Sequence, residues 1–182
     1  MIITKTEFRD LLLLKPSVFS DERGSFMEVF NEAKFRVETG LNISFVQDNE
    51  SISQQHVLRG LHFQIPPKGQ AKLVRVSKGS VLDVAVDLRK TEPTYGKHFK
   101  QLLSAENAMQ LFIPEGFAHG FYVLEQDTVF SYKCSNYYTQ ACERSLRWND
   151  PAMAIDWGCE NPILSERDAV AGFLNEFESP FF

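Results

Sequence analysis

Arg59, His62, Lys72 and Arg75 fall within one apolar stretch, Val57 to Val76, among Leu58, Leu61, Phe63, Leu73 and Val74. A cation left unpaired in a dry interior costs several kcal/mol, so the grouping points to a site for an anionic ligand. An imidazole ordinarily titrates at about pH 6.5 and suits proton abstraction near neutrality when a carboxylate orients it. His62 is therefore a candidate base, although taken alone it reads somewhat more readily as a satisfied core histidine. Arg59 and His62 are three residues apart, which on a regular strand puts them on opposite faces. A bulge at Gly60 would bring both into one cavity.

The same alternation sorts the other polar residues. Along 72–77, Lys72 shares a face with Val74 and Val76, and along 128–135, Tyr132 shares one with Phe130 and Cys134. Both side chains are thus expected to point inward. A lysine is almost never buried without a partner, so Lys72 has either a functional role or an edge position. Tyr132 by itself reads as a core tyrosine bonded to backbone.

The segments that hold these residues read mostly as strands of four to nine residues, expected at 43–48, 57–64, 72–77, 80–88, 97–103, 109–113, 118–125 and 128–135. Ser77-Lys78-Gly79-Ser80 has the composition of a hairpin turn, and Pro114-Glu115-Gly116 is a second break. Closely spaced strands without long helices between them predict a mainly β, antiparallel sandwich or barrel. One peripheral helix is expected at 32–39, capped by Asn31, ended by Gly40 and turned inward at Phe35. After about 150 the character changes, and Ser165-Glu166-Arg167-Asp168 has the form of a capping box opening a short helix through Ala169, Val170 and Phe173. No repeat or linker divides the 182 residues, which are read as one domain.

Composition removes several functional classes. There are 19 basic and 24 acidic side chains, and the basic ones are scattered, so no nucleic-acid-binding stripe exists. The longest apolar run, Leu11 to Leu14, is far short of the roughly 20 residues that cross a bilayer. Cys134, Cys142 and Cys159 are odd in number and lack CxxC spacing, which predicts free thiols and a cytoplasmic protein.

Pro114 to His119 matches the PxGxxH pattern of the second cupin motif. Metal-binding cupins also carry an HxH and a downstream glutamate in their first motif. Here His62 stands alone in that region, and Leu61 and Gln64 cannot supply the missing ligands, so no metal cofactor is expected.

Taken together, Phe19 to Gly24, Phe45 to Asn49, Val57 to Gln64, Lys72 to Arg75, Pro114 to Phe121, and Tyr132-Lys133 with Asn136-Tyr137-Tyr138 closely resemble the bacterial dTDP-4-dehydrorhamnose 3,5-epimerase family over almost the whole chain. The resemblance implies a cupin-type jelly roll, free of metal, that works as a homodimer whose N-terminal segments cross to the partner. It implies His62 as base, Asp168 as its carboxylate partner, Tyr132 as acid on the opposite face of the sugar, and Lys72 as the group steadying an enolate oxygen. It further implies that Phe19, Arg23, Glu28, Gln47, Asn49, Arg59, His119, Tyr138, Glu143 and Arg167 bind a dTDP-linked 4-keto-6-deoxy sugar, Tyr138 stacking on the thymine. Arg167 stands where the family commonly has lysine, keeping the charge with a different contact geometry. By themselves, Asp168 reads as a helix cap, Glu28 and Glu143 as solvated charges, and Arg23 as part of a turn.

Hydrogens on C3 and C5 of such a sugar are acidic because the C4 carbonyl accepts the charge. Inversion then needs a base, a donor at the ketone oxygen and an acid on the other face. Three competing readings remain at this level: an enzyme inverting only C3 or only C5 or acting on another nucleotide-linked keto sugar, a non-catalytic cupin that binds sugars, and a metal-dependent cupin enzyme.

Overall fold

The apolar runs of the middle of the chain fold as antiparallel strands in a computed structural model that describes residues 1–182. Strands β1 (Ile2–Lys5) and β2 (Leu12–Lys15) open the chain, followed by a hairpin of β3 (Val18–Asp21) and β4 (Gly24–Met27). Helix α1 (Glu32–Thr39) precedes β5 (Gln47–Ser53), β6 (Leu58–Gln64), β7 (Lys72–Lys78) and β8 (Ser80–Asp87). Then come β9 (His98–Ser104), β10 (Gln110–Ile113), β11 (Phe117–Val123) and β12 (Thr128–Cys134). The tail adds β13 (Glu143–Ser145) and α2 (Glu166–Ala169).

These strands form a six-stranded sheet, β1-β2-β10-β7-β12-β5, facing a five-stranded sheet, β13-β6-β11-β8-β9, with β3-β4 standing apart. The architecture is the expected cupin-type antiparallel jelly roll with short peripheral helices. Between the sheets, Val74, Val76, Leu111, Ile113 and Phe130 meet Val81, Ala85, Leu103, Phe117, Phe121 and Val123. The rings of Phe121 and Phe130 stack across this gap with centroids 3.9 Å apart.

Both outer faces are covered as well. Phe35 of α1, capped by Asn31 and ended at Gly40 as expected, packs with Leu12, Leu14, Leu73 and Phe112. On the five-stranded sheet, Leu146, Met153, Trp157, Leu174 and Phe181 of the tail cover Leu58, Val84, Val86 and Ala118. Each such large side chain contributes about 1.5–3 kcal/mol by burial, so the tail holds its place with little regular structure.

Four expectations need correction. Ser77 to Ser80 is no hairpin: β7 pairs with β10 and β12 while β8 pairs with β11 and β9, so Gly79 turns the chain from one sheet into the other. Its φ of +78° and the nearness of Thr128, whose Oγ1 would lie 2.3 Å from an added Cβ, both require glycine. The strand expected at 43–48 begins instead at Gln47, and Ile43 and Phe45 are packing residues beside α1. The helix expected to run through Phe173 ends after Ala169. Finally, β1 to β4 and β13 were not anticipated, being short or polar. No helix is long and apolar enough to cross a membrane.

Candidate active site

The mouth of the barrel holds a cavity of about 540 Å³ walled by β5, β6, β7, β11, β12, β13 and α2, within the usual range for small-ligand sites. Gln47, Asn49, Arg59, His62, Lys72, His119, Tyr132, Tyr138, Glu143, Arg167 and Asp168 all line it.

Arg59 and His62 share this cavity because β6 is bulged as anticipated. Opposite β11, His119 pairs with His62 and Phe121 with Arg59, so three steps on β6 match two on its neighbour. Gly60 has φ of +135°, and a Cβ there would lie 2.5 Å from Gly120 Cα, so a larger residue would force the strands apart. Arg59 is steadied at its Nε, which donates to Ser53 Oγ at 3.1 Å.

Asp168 reaches His62 from the tail. Residue 163 bridges to Val57, and Leu58 N–H donates to Ile163 C=O, laying the chain along β6 just before α2. Ser165 Oγ accepts from the Asp168 amide, which caps α2 and turns the carboxylate to His62, with Oδ1 and Nε2 2.6 Å apart. Burial pushes the Asp168 carboxyl up, but the bonds from His62, Ser165 and the Gly60 amide outweigh it and hold the group below the ordinary carboxylate range. With a charged acceptor on one side, the imidazole hydrogen sits on Nε2 and Nδ1 is left as the basic nitrogen.

His119 forms a second, more deeply buried pair, Nε2 lying 2.9 Å from Asp83 Oδ2. Burial lowers its pKa and outweighs the attraction of Asp83, so the ring stays neutral. No three His, Cys, Asp or Glu side chains cluster at ligand spacing.

Lys72 and Tyr132 are the inward-facing pair that alternation implied. Lys72 Nζ donates to His62 C=O at 3.3 Å and stands 5.9 Å from the centre of the Tyr132 ring. Burial pulls the Lys72 ammonium below the ordinary lysine value, against the attraction of Cys134, Asp83 and Glu143. Burial pushes the Tyr132 hydroxyl up, assisted by Cys134, so the phenol keeps its proton. Burial thus moves the Lys72 ammonium down and the Tyr132 phenol up, so an alkaline fall in turnover is expected to follow Lys72: a Tyr132→Phe variant, followed by proton exchange, should show the same fall, and its disappearance in that variant would assign it to Tyr132 instead.

At the outer rim, Tyr138 Oη donates to Glu143 at 2.7 Å, and Arg167 bonds both Glu143 and Ser145. Gln64 accepts from the Thr139 amide at 2.6 Å and donates to Lys68 and Tyr137 carbonyls, which sets the Tyr138 loop in place.

Three expected site residues do not line this cavity. Phe19 is 65% exposed on the β3-β4 hairpin, Arg23 pairs with Asp21 there, and Glu28 holds Lys34 and Asn31. Arg75, on the outward face of β7, instead borders a shallow hollow on the outside of the six-stranded sheet with Glu50 and Ser131. Conversely, Ser51 and Cys134 line the cavity unannounced; the alternation of polar residues from Gln47 to Ser53 is the signal that could have found Ser51.

A jelly roll with a carboxylate-oriented histidine, an inward lysine and a protonated tyrosine around one cavity defines a cupin-type proton-transfer enzyme. The model of the dTDP-4-dehydrorhamnose 3,5-epimerase family matches residues 5–176, and the chain belongs to that family. The enzyme of that name from Shigella flexneri is 52% identical over 168 residues, spanning 92% of this chain and 93% of the relative. A crystal structure of dTDP-6-deoxy-D-glucose-3,5-epimerase from Legionella pneumophila, in complex with dTDP-4-keto-L-rhamnose, superposes with a TM-score of 0.95 at 44% identity over 100% of this chain and 98% of that one. A 3'-monoepimerase from Streptomyces bikiniensis, in complex with dTDP-quinovose, is more distant, with a TM-score of 0.88 and 33% identity over 93% of this chain and 86% of that one.

Proposed function

We infer that the protein inverts C3 and C5 of dTDP-4-dehydro-6-deoxy-D-glucose to give dTDP-4-dehydro-L-rhamnose. The observation that carries the mechanism is the 2.6 Å contact of His62 with Asp168 in a cavity shared with Lys72 and Tyr132. His62 Nδ1 takes the proton from carbon, leaving the electron pair to delocalise onto the C4 oxygen. Lys72 stabilises that oxyanion, and Tyr132 delivers a proton to the opposite face. Arg59 suits the pyrophosphate, whose binding positions the ring. Incubating the protein with this substrate in deuterated water and locating deuterium by NMR tests the reading: label at both C3 and C5 with both centres inverted is expected. Inversion of one centre alone would move the protein to the monoepimerases.

The working unit is a homodimer in which the β3-β4 hairpin carries Phe19 and Arg23, with nearby Glu28, to the partner's cavity. Two features support this: those residues line no part of their own cavity, and Val18, Phe19 and Phe26 are 44%, 65% and 69% exposed. Residues 2–5 and 12–15 pair within their own sheet, so the exchanged part is the hairpin. Because Val18 pairs with Met27, residues 18–27 are replaceable by two glycines without disturbing β2. That variant is expected to sediment as a monomer with turnover reduced at least about 100-fold, the order of effect when substrate positioning is lost. A fully active monomer would refute the exchange.

A further inference from the structure

We propose that Ser51 binds substrate, its hydroxyl donating to an oxygen of the phosphate attached to the sugar; this rests on the nucleotide-sugar reading above. Along β5, Gln47, Asn49, Ser51 and Ser53 turn inward while Asp48, Glu50 and Ile52 turn out. Three of the four inward side chains are engaged. Gln47 Nε2 donates to Asn49 Oδ1 at 3.1 Å, Asn49 Nδ2 contacts Cys134 Sγ at 3.6 Å, and Ser53 holds Arg59. Ser51 Oγ is buried and bonds to nothing, a state shared among side-chain atoms only with Asp83 Oδ1. Its cross-strand neighbour is Phe130, which offers no polar group.

An unsatisfied buried hydroxyl costs stability and calls for a reason. Ser51 borders the cavity, so rotation about χ1 from one staggered well to another turns Oγ into it without moving the backbone. Its place along the strand identifies the acceptor. Same-face residues are spaced about 6.6–6.8 Å apart. Asn49 lies opposite Tyr132, beside the reacting ring, whereas Ser53 anchors the Arg59 guanidinium. A group midway between proton donor and phosphate partner meets the junction of sugar and pyrophosphate, where the phosphate oxygens are the strongest acceptors.

The test is calorimetric titration of the wild type and Ser51→Ala with dTMP, dTDP and dTDP-glucose, with thermal unfolding of each ligand-free protein. Losing a hydrogen bond to a charged group weakens binding about 10- to 100-fold. That loss is expected for dTDP and dTDP-glucose, with dTMP, which lacks the second phosphate, unaffected. The ligand-free midpoint is expected to stay level or rise, because no internal bond is removed. Equal dTDP binding by both proteins overturns the proposal, as does an equal loss for dTMP. A loss confined to dTDP-glucose overturns the phosphate assignment in favour of the sugar, and a lowered ligand-free midpoint overturns it in favour of a structural hydroxyl. Failure of the wild type itself to bind dTDP would overturn the nucleotide-sugar reading first.

Discussion

Replacing His62 with alanine is expected to abolish both solvent exchange at C3 and C5 and formation of the inverted sugar. General-base catalysis is worth about 10² to 10⁴ in rate, and no second group in the cavity is placed to substitute. His119 is neutral but buried against Asp83, Lys72 Nζ is turned to the His62 carbonyl, and Tyr132 keeps its proton. Asp168 is a carboxylate, ordinarily a far weaker base than an imidazole, and its side chain is only 4% exposed behind the position of His62. The expected loss is therefore of the whole reaction, because deprotonation precedes everything else. Nucleotide binding should survive, since Arg59 and the outer rim are untouched. The measurement is deuterium uptake at each carbon by NMR, with dTDP titration as the control for folding. Exchange that continues at the wild-type rate would remove His62 from the role of base.

The parts of the molecule legible in the sequence are those where one physical signal dominates. Strands β6 to β12 alternate or run apolar because they form the inner walls, so Lys72 and Tyr132 could be turned inward from spacing alone, and Gly60 could be identified as the bulge that unites Arg59 with His62. Helix α1 was legible from Asn31, Phe35 and Gly40, each doing one local job. The failures share a cause: β5 faces the cavity, so its inward residues are polar, and the usual sign of the alternation is reversed. Apolar Ile43 and Phe45 then attracted the strand assignment four residues too early. Gly79 looked like a hairpin because a turn's residues do not reveal which sheet receives the next strand. The partnership of Asp168 with His62 spans 106 positions; within the sequence Asp168 is a helix-capping residue, and only resemblance assigned it to the site. Arg75 was grouped with the site by proximity along the chain, although one step of strand periodicity sends it to the outer face.

Tyr132→Phe is expected to separate the two half-reactions that His62→Ala removes together. The substitution keeps the ring, its packing against Phe130 and its place 5.9 Å from Lys72, and deletes only the hydroxyl. His62 can still remove a proton and Lys72 can still hold the oxyanion, so deuterium should continue to enter at C3 and C5. What is lost is the proton donor on the opposite face, and the wild-type donor is a good one because burial keeps the phenol protonated throughout the neutral range. Without it, reprotonation returns from the His62 side and the configuration is retained. The inverted product should form about 10² to 10⁴ times more slowly, the usual worth of a positioned acid, while exchange falls far less. The ratio of exchange to inversion, measured by NMR on the same sample, is the decisive quantity. If both fall by the same factor, Tyr132 acts before or during deprotonation and is not the acid. If inversion fails at one carbon only, Tyr132 serves that centre alone and a different donor serves the other, which would set this protein's chemistry between the 3,5-epimerases and the monoepimerases of the same fold.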